Sequence, residues 1–243
     1  MAKFPWQVII FDVDGVLVDV RESYQRTVLE TVLHLTGKRV TRGELHQWKN
    51  RPGFNDDWKL THAWIQDLGG KFSYEEVKKQ FEDTYWGHDG GGNVSHERWL
   101  LSQGQMLDLT SRAELAIFTG RTRAQLDYTL DRFSARKHFT RIVTVESVAK
   151  PKPDPEGLLQ ILNGRPQEAA LYLGDNIDDA MAAQSAGVTF VGVLPRRSEE
   201  RRIRATRLRE LGAGDILGDV SEIKRWLVRQ ATGYASRHKD TVY

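Results

Sequence analysis

The chain opens with an uninterrupted apolar run that ends in two carboxylates. Val8 to Phe11 lack the alternation of a half-exposed strand, so the pattern predicts a strand buried on both faces of a parallel sheet. Asp12 and Asp14 follow directly, with Gly15 behind them. Because open α/β sheets bind ligands at the carboxyl ends of their strands, we expect a functional site at this position.

After this strand the apolar positions change to helical spacing. The pairs Thr41 with Glu44 and Ser73 with Glu76 have the spacing of capping boxes, so each predicts the start of a helix. Apolar residues three and four apart predict two more helices, one before the first pair and one between the two pairs. Residues 20–86 therefore predict a small helical unit without a strand.

Strand and helix patterns alternate in the second half of the chain. A helix is predicted over 95–109. Strands follow over 114–118, 140–145, 169–173 and 188–193, and helices over 122–133, 155–162 and 176–186. Such alternation is typical of right-handed crossovers in a parallel sheet, and we expect the opening strand to join this sheet across the helical insert. The sequence therefore predicts an α/β fold.

Composition limits the classes of binding partner and the cellular compartment that we expect for this protein. The 35 basic and 33 acidic residues leave a formal charge of +2, which gives no general field for nucleic acid or an anionic membrane. The basic segment 196–209 is interrupted by Glu199 and Glu200, and we interpret it as a helix with a solvated face. Pro5 and Gln7 break the short apolar N-terminus, so neither a signal peptide nor a spanning helix is predicted. We expect a cytoplasmic protein without a nucleic-acid or membrane partner, and nothing indicates its oligomeric state.

The absence of cysteine removes several kinds of chemistry together. Disulfides, thiolate metal sites and cysteine nucleophiles are all excluded. Any metal site must therefore use oxygen or nitrogen ligands.

Three further strand ends carry polar residues suited to a phosphoryl group or a cation. Thr119-Gly120-Arg121 places a hydroxyl and backbone N–H groups at a predicted helix start. Lys150-Pro151-Lys152 lies in a loop whose prolines restrict the backbone. Asp175 and Asp179 follow another buried strand. Taken singly, each segment has an ordinary alternative as a helix cap or a solvated loop, and the first pair of carboxylates has one as an acidic turn.

In this order the four segments resemble the motifs of the haloacid dehalogenase-like superfamily, in the branch whose helical cap follows the first motif. The matching segments are Phe11 to Val16, Phe118 to Arg121, Lys150-Pro151, and Gly174 to Asp179. The resemblance covers nearly the whole chain and is to the phosphoglycolate phosphatase and β-phosphoglucomutase kind. It implies a Rossmann-like, doubly wound parallel sheet as the core, formed by 1–19 and 94–243, with an inserted all-helical cap domain over 20–93.

The resemblance also implies roles for the carboxylates. Asp12 would attack phosphorus and become an aspartyl phosphate, while Asp14 would protonate the leaving oxygen and then activate water. Mg²⁺ would be held by the Asp12 carboxylate, the Asp14 backbone carbonyl and Asp175. Asp179 would be a further or outer ligand, and its four-residue spacing from Asp175 favours it over Asp178. The oxygen-only set suits Mg²⁺.

The phosphoryl oxygens would be bound by the second and third motifs. The resemblance assigns them to Thr119, Gly120 and Lys150. Lys152 is a rival for the lysine role, but the spacing to Pro151 favours Lys150.

The cap is expected to select the substrate, because the core would contact only the phosphoryl group. The connection between two cap helices, residues 49–58, is predicted to face the site. Arg51 and Asn55 are its candidates for contact with a polar substrate, whereas Asp56 and Asp57 are predicted to be helix caps. The tryptophans of this region are predicted mainly to pack the interior of the cap.

The implied activity is Mg²⁺-dependent hydrolysis of a small phosphorylated metabolite. A phosphomutase of the β-phosphoglucomutase kind would use the same aspartyl phosphate, and the sequence does not separate the two. A dehalogenase is disfavoured, because the role of Asp14 requires a leaving alkoxide that needs a proton. A non-enzymatic binding protein on the same fold is a third alternative, which the four intact motifs oppose.

Overall fold

The first apolar run forms the centre of a six-stranded parallel sheet. The computed structural model describes residues 5–54, 56–88, 91–196 and 201–237. Strand β1 (Val8–Phe11) pairs in parallel with β4 (Glu114–Phe118) on one side and with β6 (Ala170–Gly174) on the other. The sheet is completed by β5 (Arg141–Val143), β7 (Thr189–Val193) and β8 (Asp215–Leu217), in the order β5-β4-β1-β6-β7-β8. The predicted α/β fold with a parallel sheet is confirmed.

Successive side chains of β1 pack alternately in two different hydrophobic layers. Ile9 and Phe11 pack in one cluster and Val8 and Ile10 in the other, and all four are fully buried. Burial of such side chains is worth about 1.5–3 kcal/mol each. The first layer is closed by α5 (Gln103–Thr110), α6 (Arg123–Arg132) and α10 (Ile223–Arg237), and the second by α7 (Glu156–Leu162), α8 (Ile177–Ala186) and α9 (Arg201–Glu210). This two-sided burial explains why the run lacks polar alternation.

Four helices form the inserted cap, namely α1 (Tyr24–Thr36), α2 (Arg42–Lys49), α3 (Asp57–Asp67) and α4 (Tyr74–Trp86). The predicted capping boxes begin α2 at Thr41 and α4 at Ser73, and Asp56 caps α3. Helix α1 packs against α3 and α4, and its apolar face joins the first hydrophobic layer of the core. Within the described ranges, no helix combines the length and the apolar composition needed to cross a membrane.

The predicted helix over 95–109 is wrong in its first half. Residues Asn93–His96 form a short 3-10 turn, and α5 begins only at Gln103, where Ser102 and Gln105 form its capping box. Between them, β3 (Arg98–Trp99) pairs antiparallel with β2 (Val18–Asp19). This pairing joins the two chain segments that connect the cap with the core. Strands of two residues have no detectable period, which is why the sequence pattern missed them.

Helix α7 depends on a glycine that lets it approach the sheet. A Cβ atom on Gly157 would lie 2.2 Å from the ring of Phe118, the last residue of β4. We expect Gly157→Ala to lower the free energy of unfolding by about 1–3 kcal/mol, because the buried ring has to shift. Gly104→Ala is the matched control, since Gly104 also lies in a helix and its added Cβ would have no contact within 4 Å.

The control should raise stability by up to about 1 kcal/mol, through helix propensity alone. Urea denaturation of both variants measures the difference. Equal stability of the two variants would show that α7 is not held against Phe118.

Candidate active site

The loops at the carboxyl ends of β1, β4 and β6 converge with the loop before α7 on one cavity. Its volume is about 130 Å³. The core lines it with Asp12, Asp14, Thr119, Gly120, Arg121, Lys152, Asp175 and Arg204, and the cap with His46, Lys49, Gly53, Asp56, Asp57, Trp58 and Lys59. The site therefore lies between the sheet edge and the cap.

Asp12 is paired with a lysine of the third motif, and that lysine is Lys152. The Nζ atom of Lys152 donates to Asp12 Oδ1 at 2.9 Å and to Asp179 Oδ1 at 2.7 Å. Lys152 is only 7% exposed, although it is a lysine. A buried ammonium between two carboxylates ties the loop before α7 to the ends of β1 and β6.

The preference for Lys150 is corrected by this geometry. Lys150 is exposed, and its backbone N–H donates to Glu156 Oε2 at 2.9 Å. The other carboxylate oxygen of Glu156 accepts the N–H of Ala149 at 2.9 Å. These two bonds hold the start of the loop at the surface, so the chain turns inward only at Lys152. Spacing along the sequence does not contain this information.

Asp179 has each of its oxygens engaged by two donors. Lys152 and the hydroxyl of Tyr172, at 2.6 Å, donate to Oδ1. The backbone N–H groups of Asp175 and Asn176 donate to Oδ2 at 3.0 and 3.2 Å. A carboxylate with four donors is better suited to orient its neighbours than to contact a cation directly.

Asp175 comes close to the turn after β1 because that turn contains a glycine. Gly15 has a φ of +77°, and a Cβ atom there would lie 2.5 Å from Asp175 Oδ2. Glycine thus serves both the backbone conformation and the close approach. Oxygen atoms of Asp12, Asp175 and Asp179 lie within 4.8 Å of one another, the one acidic cluster of metal-binding type found in the described residues. The side chain of Asp14 is directed elsewhere.

Asp14 contacts a buried arginine that the sequence analysis did not assign. Arg121 donates to Asp14 Oδ1 from Nε at 3.0 Å and from Nη2 at 2.6 Å. The same guanidinium contacts Glu97 through Nη2, at 2.7 Å, and Nη1, at 3.3 Å. Burial alone would lower the pKa of Arg121, but the two carboxylates outweigh it and raise that pKa. The guanidinium is therefore charged at every accessible pH.

A signal for Arg121 was present in the sequence, but none existed for Glu97. Arg121 belongs to the second motif itself, directly after Gly120. Glu97 lies in the segment that was wrongly predicted as a helix. Only the fold brings it to Arg121.

Thr119 and Gly120 occupy the predicted place at the end of β4. Thr119 is 1% exposed and Gly120 is exposed, and both line the cavity. The hydroxyl oxygen of Thr119 accepts the backbone N–H of Arg121 at 3.2 Å. The structure thus brings both residues to the cavity that contains Asp12.

The electrostatics of the cluster favour a bound cation. Burial raises the pKa of Asp12 well above its usual range, Lys152 opposes this shift, and the other carboxylates of the site increase it. Burial also raises the pKa of Asp175, although Arg204 opposes the shift from 3.2 Å. Carboxylates that repel one another in a buried site gain stability from a nearby positive charge.

A charge count of the ion-pair network leads to the same conclusion. In the described part of the chain, the core has five carboxylates paired with three cations in and around the cavity, an excess of two negative charges. The carboxylates are Asp12, Asp14, Glu97, Asp175 and Asp179, and the cations are Arg121, Lys152 and Arg204. The cap pairs, Lys49 with Asp57 and Lys59 with Asp56, do not change this excess. An all-oxygen donor set with this excess fits a hard divalent cation.

Of the two predicted cap residues, the one that the structure describes, Arg51, does not line the cavity. Arg51 is exposed and its guanidinium carbon lies 4.1 Å from the centre of the Trp48 ring, outside the cavity lining, so its expected role is corrected. Asn55 lies outside the described residues. Lys49 and Asp57 line the cavity instead, paired at 2.9 Å. Arg51 prefers the aromatic face because its stem and guanidinium can both pack there.

The cap also contacts the fourth motif directly. The backbone N–H of Gly53 donates to Asp178 Oδ1 at 3.2 Å. Asp178 is 3% exposed and precedes Asp179, whose side chain holds Lys152. Neighbouring residues of one motif therefore contact the cap and the pair formed by Asp12 and Lys152.

This geometry defines the chain as an α/β protein with a carboxylate-rich site beneath a helical cap. The sequence pattern of the haloacid dehalogenase-like hydrolases matches residues 9–193. The chain belongs to the haloacid dehalogenase-like hydrolase family, as the resemblance of its motifs predicted.

Individual relatives differ in how much of their length is matched. An imidazoleglycerol-phosphate dehydratase from Phytophthora nicotianae is 32% identical over 208 residues, which are 82% of this chain but 46% of the relative. The chain thus spans about half the length of that protein. A pyrophosphatase PpaX from Bacillus velezensis is 24% identical over 195 residues, which are 76% of this chain and 82% of the relative.

A solved structure extends the likeness over almost the whole chain. CbbY from Rhodobacter sphaeroides in complex with phosphate has a TM-score of 0.67, with 90% of this chain and 96% of that chain covered. The two sequences are 20% identical, so the likeness concerns the fold alone.

The pairing of Lys152 has a testable consequence for stability. We expect Lys152→Met to lower the free energy of unfolding by about 3–5 kcal/mol, because it leaves Asp12 and Asp179 buried without their shared counter-ion. Lys150→Met, at an exposed position, is the matched control and should change stability by less than about 0.5 kcal/mol. Urea denaturation in the presence of a chelator measures both effects without support from a bound metal. A larger loss in the Lys150 variant would restore the original assignment.

Proposed function

We propose that this protein is a Mg²⁺-dependent phosphatase that hydrolyses a small phosphorylated metabolite through an aspartyl phosphate on Asp12. The observation that carries the proposal is the buried carboxylate of Asp12, held by Lys152 at 2.9 Å, at the floor of a cavity enclosed by the cap. One relative named as a phosphatase, the pyrophosphatase PpaX, supports the same reaction class.

The residues of the core divide the reaction among them. Asp12 would attack phosphorus in line, and Lys152 would orient it and stabilise its ionised form. Thr119 and the backbone of Gly120 would bind phosphoryl oxygens at the start of α6. Lys152 takes the place that the sequence analysis gave to Lys150. Because the phosphate ester is inert, this positioning and charge neutralisation must supply most of the rate gain.

Asp14 would move the proton in both steps. It would first donate a proton to the oxygen of the leaving alcohol and then accept one from the water that attacks the aspartyl phosphate. Such general acid–base catalysis contributes about 10²- to 10⁴-fold. The partial exposure of the Asp14 side chain, 27%, keeps it at the cavity surface where a leaving oxygen would lie.

A divalent cation, which we propose is Mg²⁺, would be held by the carboxylates of Asp12 and Asp175 and by the backbone carbonyl of Asp14. When bound, it would neutralise the charge of the phosphoryl group. Asp179 would act on the site through Lys152 and the backbone after β6, since four donors already engage it.

The cavity and the relatives together support a small phosphorylated molecule as the substrate. A space of about 130 Å³ suits a compact leaving group. The relatives are named for imidazoleglycerol phosphate and for pyrophosphate, so both belong in a substrate panel with phosphoglycolate and hexose phosphates.

The proposal predicts loss of activity when the nucleophile is replaced. Asp12→Asn should reduce Mg²⁺-dependent hydrolysis of 4-nitrophenyl phosphate by about 10⁴-fold or more, because the amide cannot form the aspartyl phosphate. Asp67→Asn, at an exposed position of α3, is the control and should retain full activity. Release of inorganic phosphate is the measurement. A wild-type protein that is inactive with and without Mg²⁺ would instead favour a binding protein on this fold.

Product analysis separates hydrolysis from phosphomutase activity. A phosphatase should release one phosphate for each substrate molecule consumed, without a bisphosphate activator, because water accepts the phosphoryl group. A mutase would return the phosphoryl group to another hydroxyl. ³¹P NMR of hexose 1-phosphate reactions, with and without the bisphosphate, distinguishes the two. An isomerised sugar phosphate without free phosphate would contradict the phosphatase proposal.

A further inference from the structure

A buried ionic network links Asp14 to the chain segment that leads from the cap into the core. Arg121 is 2% exposed and stands at its centre. Its Nε and Nη2 atoms both donate to Oδ1 of Asp14, so this contact uses one edge of the guanidinium. The other edge, Nη1 and Nη2, faces Glu97. One cation thus serves two carboxylates.

Glu97 is fixed by donors from both parts of the molecule. The hydroxyl of Tyr85, in the last turn of cap helix α4, donates to Glu97 Oε1 at 2.9 Å. The hydroxyl of Thr129, in core helix α6, donates to Oε2 at 2.8 Å. Glu97 itself lies between the 3-10 turn after the cap and β3. Its side chain is fully buried, so its position follows that of the cap connection.

Stability alone does not explain the second carboxylate. One carboxylate would neutralise Arg121, and burying another ionised group carries a desolvation cost of several kcal/mol. Of the two, Glu97 is completely enclosed, while the side chain of Asp14 is 27% exposed toward the cavity. Glu97 is therefore the permanent counter-ion of Arg121, and Asp14 is the partner that can turn toward a substrate.

We propose that Glu97 is a positioning residue for the reaction: by neutralising the guanidinium of Arg121, it lets Asp14 alternate between that arginine and the leaving oxygen of the substrate. The inference rests on the proposed phosphatase function. Without the charge of Glu97, Asp14 becomes the sole counter-ion of a buried cation and is retained on it. Proton donation by Asp14 to the leaving group is then impaired, whereas the attack of Asp12 on phosphorus is not.

The test compares two substrates that differ in their need for a proton. Nitrophenolate leaves 4-nitrophenyl phosphate without protonation, whereas the more basic phenolate of phenyl phosphate needs the proton from Asp14. The value of kcat/KM reports the first step, transfer to Asp12, for both. In Glu97→Gln, we expect the ratio of kcat/KM for phenyl phosphate to that for 4-nitrophenyl phosphate to fall about tenfold or more, within the range of acid catalysis.

Two further variants separate positioning from a structural role. Thr129→Val removes one donor to Glu97 and one acceptor of Arg121 Nη1. It should lower the same ratio by a smaller factor, which keeps the test informative if Glu97→Gln folds poorly. Glu30→Gln is the matched control: Glu30 accepts a hydrogen bond from Asn93 on the same connection but is not bonded to Arg121. Its ratio should equal that of the wild type.

The outcomes distinguish this inference from the proposed function. A wild type that hydrolyses both esters, with an unchanged ratio in Glu97→Gln and Thr129→Val, overturns the role of Glu97 and leaves the phosphatase intact. Equal loss on both substrates also overturns it, because a purely structural defect affects both alike. A wild type that hydrolyses neither ester contradicts the proposed function and, with it, this inference.

Discussion

The ammonium of Lys152 lies between the carboxylates of Asp12 and Asp179, and the rest of the site is arranged around this contact. Asp179 is fixed by the hydroxyl of Tyr172 and by two backbone N–H groups after β6. It therefore fixes Lys152, and Lys152 fixes Asp12. Three chain segments that are far apart in sequence meet through one buried cation. Removing Lys152 would leave two carboxylates in a medium that solvates them poorly.

A second cation organises the other half of the site in the same way. Arg121 joins Asp14 to Glu97 as Lys152 joins Asp12 to Asp179. Each cation has one carboxylate at the cavity and one that is fully enclosed. The enclosed carboxylates determine where the cations lie, and the cations determine where the carboxylates at the cavity lie. The surplus of negative charge that results is the feature that favours a divalent cation in the cavity.

The sequence predicted those parts of the molecule that depend on local patterns. The strand from Val8 to Phe11 was identifiable because burial on both faces removes all alternation, and the capping boxes at Thr41 and Ser73 are contained within four residues each. The choice between Lys150 and Lys152 could not be made from a local sequence pattern. It depends on Glu156, which holds the start of the loop at the surface through two backbone N–H groups.

The sequence did not predict the contacts of Arg51 and Glu97, for a related reason. Arg51 packs on the ring of Trp48, a contact that depends on the angle between a helix end and the following turn. Glu97 reaches Arg121 only because a pair of two-residue strands sets the path of the connection. Such short strands leave no periodic signal, so the network around Asp14 becomes visible only in three dimensions.

The contacts between cap and core connect the helical insert with both buried cations of the site. Gly53 of the cap bonds Asp178, whose neighbour Asp179 holds Lys152. Tyr85 of the cap bonds Glu97, which contacts Arg121. Two hydrogen bonds thus connect each of the two buried cations with a cap residue, with the peptide link between Asp178 and Asp179 as an added step for Lys152. A displacement of the cap would change the surroundings of Asp12 and Asp14, because both links run through a buried carboxylate, Asp178 or Glu97. The position of the cap and the arrangement of Asp12 and Asp14 are therefore coupled through these contacts.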